Sequence, residues 1–186
     1  MSNIWVTSDW HFFHNREFIY KPRGFSSVEE MNEAIITNHN NIVNVDDDVY
    51  VLGDLMLNDN DKGLECILRL NGKLHIIRGN HDGDTRVELY KALPNVVEVC
   101  EGKFLKHRKY HFYLTHFPCL SANLEAESLK QCTLNLSGHT HSKQKFFEDR
   151  PYVYNVACDA HNCTPVCIDE IIEDMKEKVK ECLLQL

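Results

Sequence analysis

Short apolar runs alternate with stretches of helical periodicity along the first half of the chain. Ile4–Thr7, Val49–Leu52 and Leu74–Ile77 read as β-strands, and later Tyr110–Leu114 and Thr133–Leu136 do the same. Between the early strands lie three helical patterns. Ser27-Val28-Glu29-Glu30 has the form of a capping box, and Met31, Ala34, Ile35, Asn38 and Ile42 follow at helical spacing, which predicts a helix ending near Asn44. Asp61 opens a second, with Leu64, Ile67, Leu68 and Leu70 apolar and Asn71-Gly72 as its stop. A third runs from Asp84-Thr85 through Val87, Leu89 and Leu93 to Pro94.

Strand-helix alternation argues for an α/β core. Beyond Pro94 the character changes to short strands: Val96–Val99, Lys103–His107, Tyr110–Leu114, Thr133–Leu136 and Val153–Val156. That succession predicts a second sheet rather than continued winding of the first. Asp169–Leu186 closes as an amphipathic helix with Ile171, Ile172, Met175, Val179, Cys182 and Leu183 on one side. His11 to Phe18 and the turn-like Lys21-Pro22-Arg23-Gly24 read as loop.

Length and composition narrow the class. The chain's 186 residues suit one domain, residues 1–186, and 43% hydrophobic with 26% charged residues is the balance of a soluble globular protein. No apolar run approaches the roughly 20 residues that span a bilayer, and the start lacks a signal-peptide pattern, so a cytoplasmic location is expected. The formal charge of −8 disfavours a broad nucleic-acid surface and duplex binding. Among the eight cysteines, Cys158, Cys163 and Cys167 with His161 nearby could ligate zinc. Their irregular spacing favours free thiols instead.

The candidate chemistry stands where strands run out into loops. Asp9-Trp10-His11, Gly53-Asp54, Gly79-Asn80-His81-Asp82, Thr115-His116 and Gly138-His139-Thr140-His141 each follow a strand pattern, which is where open α/β sheets place their sites. Single histidines are usually structural. Seven metal-preferring side chains at strand ends are a different matter: Asp9, His11, Asp54, Asn80, His116, His139 and His141 together favour metal. Gly53, Gly79 and Gly138 suit tight turns or close approach, and alternation puts His139 and His141 on one side if that segment is extended. His75, His107 and His111 read as structural or solvent-facing, and His39 as an exposed helix residue.

This ordered set resembles the calcineurin-like metallophosphoesterases, in the manner of a small single-domain bacterial or phage-type enzyme, over residues 9 to 141. The resemblance implies a four-layer αββα sandwich of two mixed β-sheets flanked by helices, with two divalent cations at the strand ends. It implies that Asp54 bridges them, that Asp9, His11 and His141 complete one site, and that Asn80, through its side-chain oxygen, His116 and His139 complete the other. Such cations sit about 3.5–4 Å apart and turn water into a nucleophile near neutral pH. Manganese is the expected metal, with iron, nickel, cobalt or zinc as alternatives.

The expected reaction is hydrolysis of phosphate mono- or diesters by a hydroxide held between the cations. His81, beside Asn80 at a family position that does not ligate, is the candidate general acid, and Asp82 the candidate orienter of its ring. His14 is placed to reach the rim. Arg16, Arg23 and Arg78 could clamp a phosphate, although loop arginines are more often merely solvated. Phe12, Phe13 and Phe117 could stack on a base, with core packing the better reading. The expected partner is a small phosphorylated substrate, with a nucleotide as one candidate. A nuclease of the same superfamily and a non-catalytic metal-binding interaction scaffold are the competing readings.

Overall fold

The structure is a computed structural model that describes residues 2–122, 128–147 and 150–184. Among the described residues ten strands form two five-stranded sheets. The first has the order β10-β1-β2-β3-β4, from Val166–Cys167, Ile4–Thr7, Asp48–Val51, Lys73–Ile77 and Val96–Cys100. β1 to β4 are parallel, and β10 is added antiparallel to β1.

Each parallel step carries a helix: α2 (Val28–Ile42), α3 (Asn60–Leu68) and α4 (Asp84–Lys91). A short helix, α1 (Glu17–Tyr20), interrupts the loop expected after β1. Consecutive right-handed crossovers in one direction leave all three helices on one face of the sheet. The alternation of the strands serves both faces. Val49, Val51, Leu74 and Ile76 pack with Met31, Ile35 and Ile67 of the helices, whereas Val6, Tyr50, Leu52 and Ile77 face the other way.

That other face meets the second sheet. Its order is β5-β6-β7-β9-β8, from Lys103–His107, Tyr110–Leu114, Thr133–Ser137, Arg150–Asn155 and Phe146–Phe147. Phe112, Leu114, Leu134, Leu136 and Tyr154 share one core with Val6, Tyr50, Leu52 and Ile77, so the sheets lie face to face. α5 (Ile168–Leu184) adds Ile171, Ile172 and Met175 to that core. The fold is therefore two mixed sheets flanked by helices. Among the described residues no helix is long and apolar enough to cross a membrane.

Half of the capping box is formed: Ser27 Oγ accepts the Glu30 N–H at 3.2 Å, while the Glu30 carboxylate accepts the Ser26 N–H at 2.7 Å, one residue before the cap. The second helix starts earlier than the sequence suggests, because Asp59 caps it by accepting the Lys62 N–H at 3.1 Å. The side chain of Leu183 and residues 185 and 186 of the expected final helix lie outside the described residues. His39 departs from expectation. It is fully buried, its Nε2–H donates to the Asn71 carbonyl at 2.8 Å, and its ring meets Trp10 edge-on with centroids 5.9 Å apart. Helical position alone places it near the polar side, but the packed loop at Asn71 covers it.

The cysteine group also separates. Cys158 and Cys163 are neighbours, whereas Cys167 lies on β10 opposite Trp5.

Candidate metal centre

Asp9, His11, Asp54, His139 and His141 all adopt left-handed backbone, with φ of 58°, 52°, 56°, 71° and 51°. Each such non-glycine residue costs about 1–2 kcal/mol, so surrounding bonds must hold it. Past the strand ends, the chains after β1 and β2 stay zipped: the N–H groups of Asp9, His11 and Phe12 donate to the carbonyls of Gly53, Asp54 and Leu55, each at 3.0 Å. The His139 N–H donates to Asp9 Oδ2 at 2.9 Å, tying the second sheet's loop to the first sheet's carboxylate. His139 and His141 do converge on one centre, but through this left-handed backbone and not through the extended alternation expected.

Gly53 shows why these loops need glycine. At φ +90° a Cβ would stand 2.6 Å from Gly79 Cα and 2.6 Å from His116 Nδ1. At Gly138 a Cβ would collide with Asp9 Oδ2 and Ser8 Oγ. The glycines let three ligand-bearing loops close on one point.

All seven predicted side chains meet there. His11 Nε2 faces His141 Nε2 at 3.1 Å, and Asp9 Oδ1 lies 3.9 Å from each of these nitrogens. Asp54 Oδ2 is 3.7 Å from His11 Nε2 on one side and 3.5 Å from His116 Nε2 on the other. Asn80 Oδ1 is 2.8 Å from His116 Nε2 and 2.9 Å from His139 Nδ1. Two subsets have ligand atoms close enough to share an ion: Asp9, His11 and His141, and Asp9, Asp54 and His116.

Neighbouring bonds fix which imidazole nitrogen faces inward. His116 Nδ1–H donates to the Leu52 carbonyl at 2.7 Å, leaving the Nε2 lone pair for the centre. His141 Nδ1–H donates to Asp159 Oδ2 at 3.0 Å with the same result. His11 Nδ1 pairs with His14 Nδ1 at 3.3 Å, which places the predicted rim histidine directly behind a ligand candidate.

The electrostatics fit cations. Asp9 is fully buried, and its Oδ1 has no hydrogen-bond partner although Oδ2 accepts the Ser8 hydroxyl at 2.6 Å. A buried carboxylate oxygen without a donor is costly. Burial pushes the Asp9 carboxyl up, against the nearby His141 and the Ser8 bond, which pull it down. Burial, with His141 and Arg23 nearby, holds His11 well below the usual histidine range. For His141 burial opposes charge, but the Asp159 bond and Asp9 carry its pKa above the usual value. An orphaned anionic oxygen among inward lone pairs is a donor set suited to divalent metal.

Other candidates sit elsewhere. Asp82 does not orient the His81 ring. Its carboxylate accepts the N–H groups of Asp54 at 2.7 Å, Gly79 at 2.9 Å and Leu55 at 3.3 Å, plus the Tyr90 hydroxyl at 2.8 Å. It thus pins two ligand loops from below, and burial pushes its pKa up.

Arg23 is not a free phosphate clamp. Its side chain is 1% exposed, paired with Asp159 at 2.8 Å and donating to the Asp9 and Trp10 carbonyls. Arg78 is engaged by Asp84 at 2.7 Å and by the Asp82 carbonyl, while Arg16 is exposed near His14. Phe12 is core and Phe13 packs against it, but Phe117 is 52% exposed with its ring 4.6 Å from His139. The core-packing expectation fails for Phe117 because its loop leaves the sheet at the site's mouth.

Sequence reasoning missed Asp159, Ser8, Tyr90 and Arg86. Arg86 donates to the His81 carbonyl at 2.5 Å. Only Ser8 carried a hint, its adjacency to Asp9.

The chain is similar to several known proteins. An uncharacterised protein of Methanocaldococcus jannaschii is 33% identical over 184 residues, 93% of this chain and 91% of that protein. The gene 66 protein of Mycobacterium phage L5 is 36% identical over 88 residues, which is 45% of this chain and 41% of the phage protein. A protein of unknown function from Aquifex aeolicus shares the fold, with a TM-score of 0.72 at 24% identity over 93% of this chain and 99% of that one. Residues 2–177 match the calcineurin-like phosphoesterase family, and the chain belongs to that family.

Proposed function

We propose that the protein is a metal-dependent phosphoric ester hydrolase with a two-cation centre, acting on small phosphorylated substrates. The observation that carries this reading is Asp54 Oδ2, a single carboxylate oxygen 3.7 Å from His11 Nε2 and 3.5 Å from His116 Nε2, between the two halves of the ligand set. Asp54 Oδ1 is already occupied by the His81 N–H at 2.8 Å, which leaves Oδ2 for the shared role. Asp9, His11, Asp54 and His141 would hold one cation, and Asp54, Asn80, His116 and His139 the other. When bound, such cations supply Lewis acidity toward a phosphoryl oxygen and lower the pKa of coordinated water. The mixed carboxylate, amide and imidazole donors suit manganese.

His81 supplies the leaving group's proton. Its side chain is 41% exposed, and its Nε2 lies 3.9 Å from Asp54 Oδ2, at the open side of the centre. The N–H bond to Asp54 and the Arg86 bond to its carbonyl fix the backbone from which the ring reaches substrate. Phe117, exposed beside His139, suits stacking by an aromatic or nucleoside portion of the ester.

The test is hydrolysis of an aryl phosphate, its bis-aryl diester and a single-stranded oligonucleotide, with added Mn²⁺ and after chelation. Expected is Mn²⁺-dependent turnover of an aryl ester with little on the oligonucleotide. Preferential cleavage of the oligonucleotide supports the nuclease reading, and metal-loaded protein inert on all three overturns the enzyme.

A further inference from the structure

Behind the candidate centre, two buried cysteines stand side by side. Cys158 is 1% exposed and Cys163 3%, both thiols are free, and both residues line the same small pocket. The chain is turned sharply to bring them together. Asn162 and Cys163 take left-handed φ of 50° and 56°, and the Cys163 N–H donates to the Cys158 carbonyl at 2.9 Å. Consecutive left-handed non-glycine residues are unfavourable, so this turn persists because its surroundings hold it.

A pocket of ≈ 90 Å³ reaches the pair, lined by Arg23, Lys143, Asp159 and Asn162 beside both sulfurs. That volume accepts a peroxide or a few waters and excludes a bulky disulfide reagent. The two thiols are unequal. Cys163 is held below the usual thiol range by Cys158 beside it, whereas Cys163 and burial push Cys158 up. Unequal neighbouring thiols beside cationic groups are the arrangement in which one sulfur attacks and the other resolves.

The pair is wired to the centre. Asp159, next in the chain to Cys158, accepts from His141 Nδ1 at 3.0 Å and from Arg23 at 2.8 Å. The Cys158 N–H donates to the Ser8 carbonyl at 3.0 Å, and the Ser8 hydroxyl binds Asp9.

We propose that Cys158 and Cys163 are a redox-modification site at which a small peroxide closes a disulfide and draws Asp159 away from His141. The Cys163 thiolate attacks a peroxide oxygen, the O–O bond breaks, and the departing oxygen leaves as water (as an alcohol from an alkyl peroxide) carrying the proton Cys163 gave up. Cys158 sulfur then displaces the hydroxyl of the sulfenic acid, and its own proton leaves in a second water. Two thiols are oxidised and one peroxide is reduced. A disulfide needs the sulfurs at covalent distance, so the 158–163 turn must contract with Asp159 on it. Disulfide formation is independent of the proposed function; the effect on cation binding rests on it.

The experiment treats the reduced protein with hydrogen peroxide and, separately, with oxidised glutathione. Cleavage before Asp159 and Asp169 separates Cys158 from Cys163, so a Cys158–Cys163 disulfide holds two fragments together in the mass spectrum. Expected are the joined fragments with peroxide but not with glutathione disulfide, their survival in Cys167→Ser and their loss in Cys163→Ser. Mn²⁺ affinity should fall about 10–100-fold on oxidation and recover on reduction, the cost of disturbing a partner of a metal-ligating histidine. Backbone hydrogen exchange near Asp159 and residues 139–141 should rise on oxidation, in metal-free protein as well. Peroxide that leaves the fragments separate, or a linkage through Cys167, overturns the site; a Cys158–Cys163 disulfide with unchanged exchange overturns its coupling to the centre. Reduced protein that binds no metal overturns the proposed function while the disulfide and exchange readouts still decide this proposal.

Discussion

The two halves of the candidate centre are built differently. Asp9 and His11 are buried, and each member of their half leans on a further side chain: Asp9 on Ser8, His11 on His14, His141 on Asp159, which is itself clamped by Arg23. On the other side Asn80 is exposed, and its side-chain oxygen meets His116 and His139. His116 is held by the Leu52 carbonyl, while His139 has the half-exposed Phe117 as its ring neighbour. One half is braced by further side chains; in the other, Asn80 and His139 lean on each other and on His116. Preorganised sites bind more tightly because less ordering remains to be done. Metal-free protein titrated with Mn²⁺ should therefore take up two ions in resolved steps, the looser one on the side open to substrate.

The largest test removes what the halves share. Asp54→Asn replaces the carboxylate whose Oδ2 lies between His11 and His116, so metal content should fall for both ions and aryl-ester turnover should drop to background. Mass-spectrometric metal analysis checks it, and retention of one tight ion would mean that the braced half stands without Asp54. Next is His81→Ala, expected to lower turnover roughly 10²–10⁴-fold with both ions retained. The loss should be greater for an alkyl ester than for a nitrophenyl ester, whose leaving group departs unaided. Equal losses would take His81 out of the acid role.

The braced half also extends into the core, because Arg23 holds the Trp10 carbonyl and Trp10 packs on His39. Burial lowers His39 from 6.5 to about 4. The folded state thus resists the proton that the unfolded chain accepts, so stability is full above pH 6.5, falls as pH drops toward 4 and levels off below that. The gap corresponds to about 3 kcal/mol. Denaturation midpoints across this window should fall less in His39→Gln than in the native chain, and parallel curves would remove His39 as a cause. The smallest effect belongs to Asp159→Asn, which keeps the shape but loses the charge behind His141. It should weaken the tighter ion about 10–100-fold and leave the looser one nearly unchanged, as calorimetric titration can resolve. Equal weakening of both would erase the distinction between the halves.

Much of this was legible before any coordinates. Strand positions, the helix cap at Ser27, the change to short strands after Pro94 and the order of ligand residues all lie in local pattern, and local pattern decides which way a side chain faces. Reading failed where a residue's role depends on a distant partner. Arg23 looked like a loop cation, yet 136 positions later stands the carboxylate that buries it. Asp82 stood next to His81 in sequence, so it was assigned to that ring, while its oxygens are taken by Asp54, Leu55, Gly79 and Tyr90. His39 looked exposed on its helix until the Asn71 carbonyl closed over it.

By itself the sequence determined the order of the longer strands and helices, though not α1, β8 or β10, together with the two-sheet α/β class and the seven side chains at strand ends, because hydrophobic periodicity and residue chemistry are written locally. Only the tertiary structure decided how those seven converge. The left-handed turns at Asp9, His11, Asp54, His139 and His141 are unfavourable in isolation and exist only because neighbouring loops hydrogen-bond them in place. The same packing chose Asp159, a residue without a motif, to hold His141, since a buried carboxylate must take whichever donors the fold brings within reach.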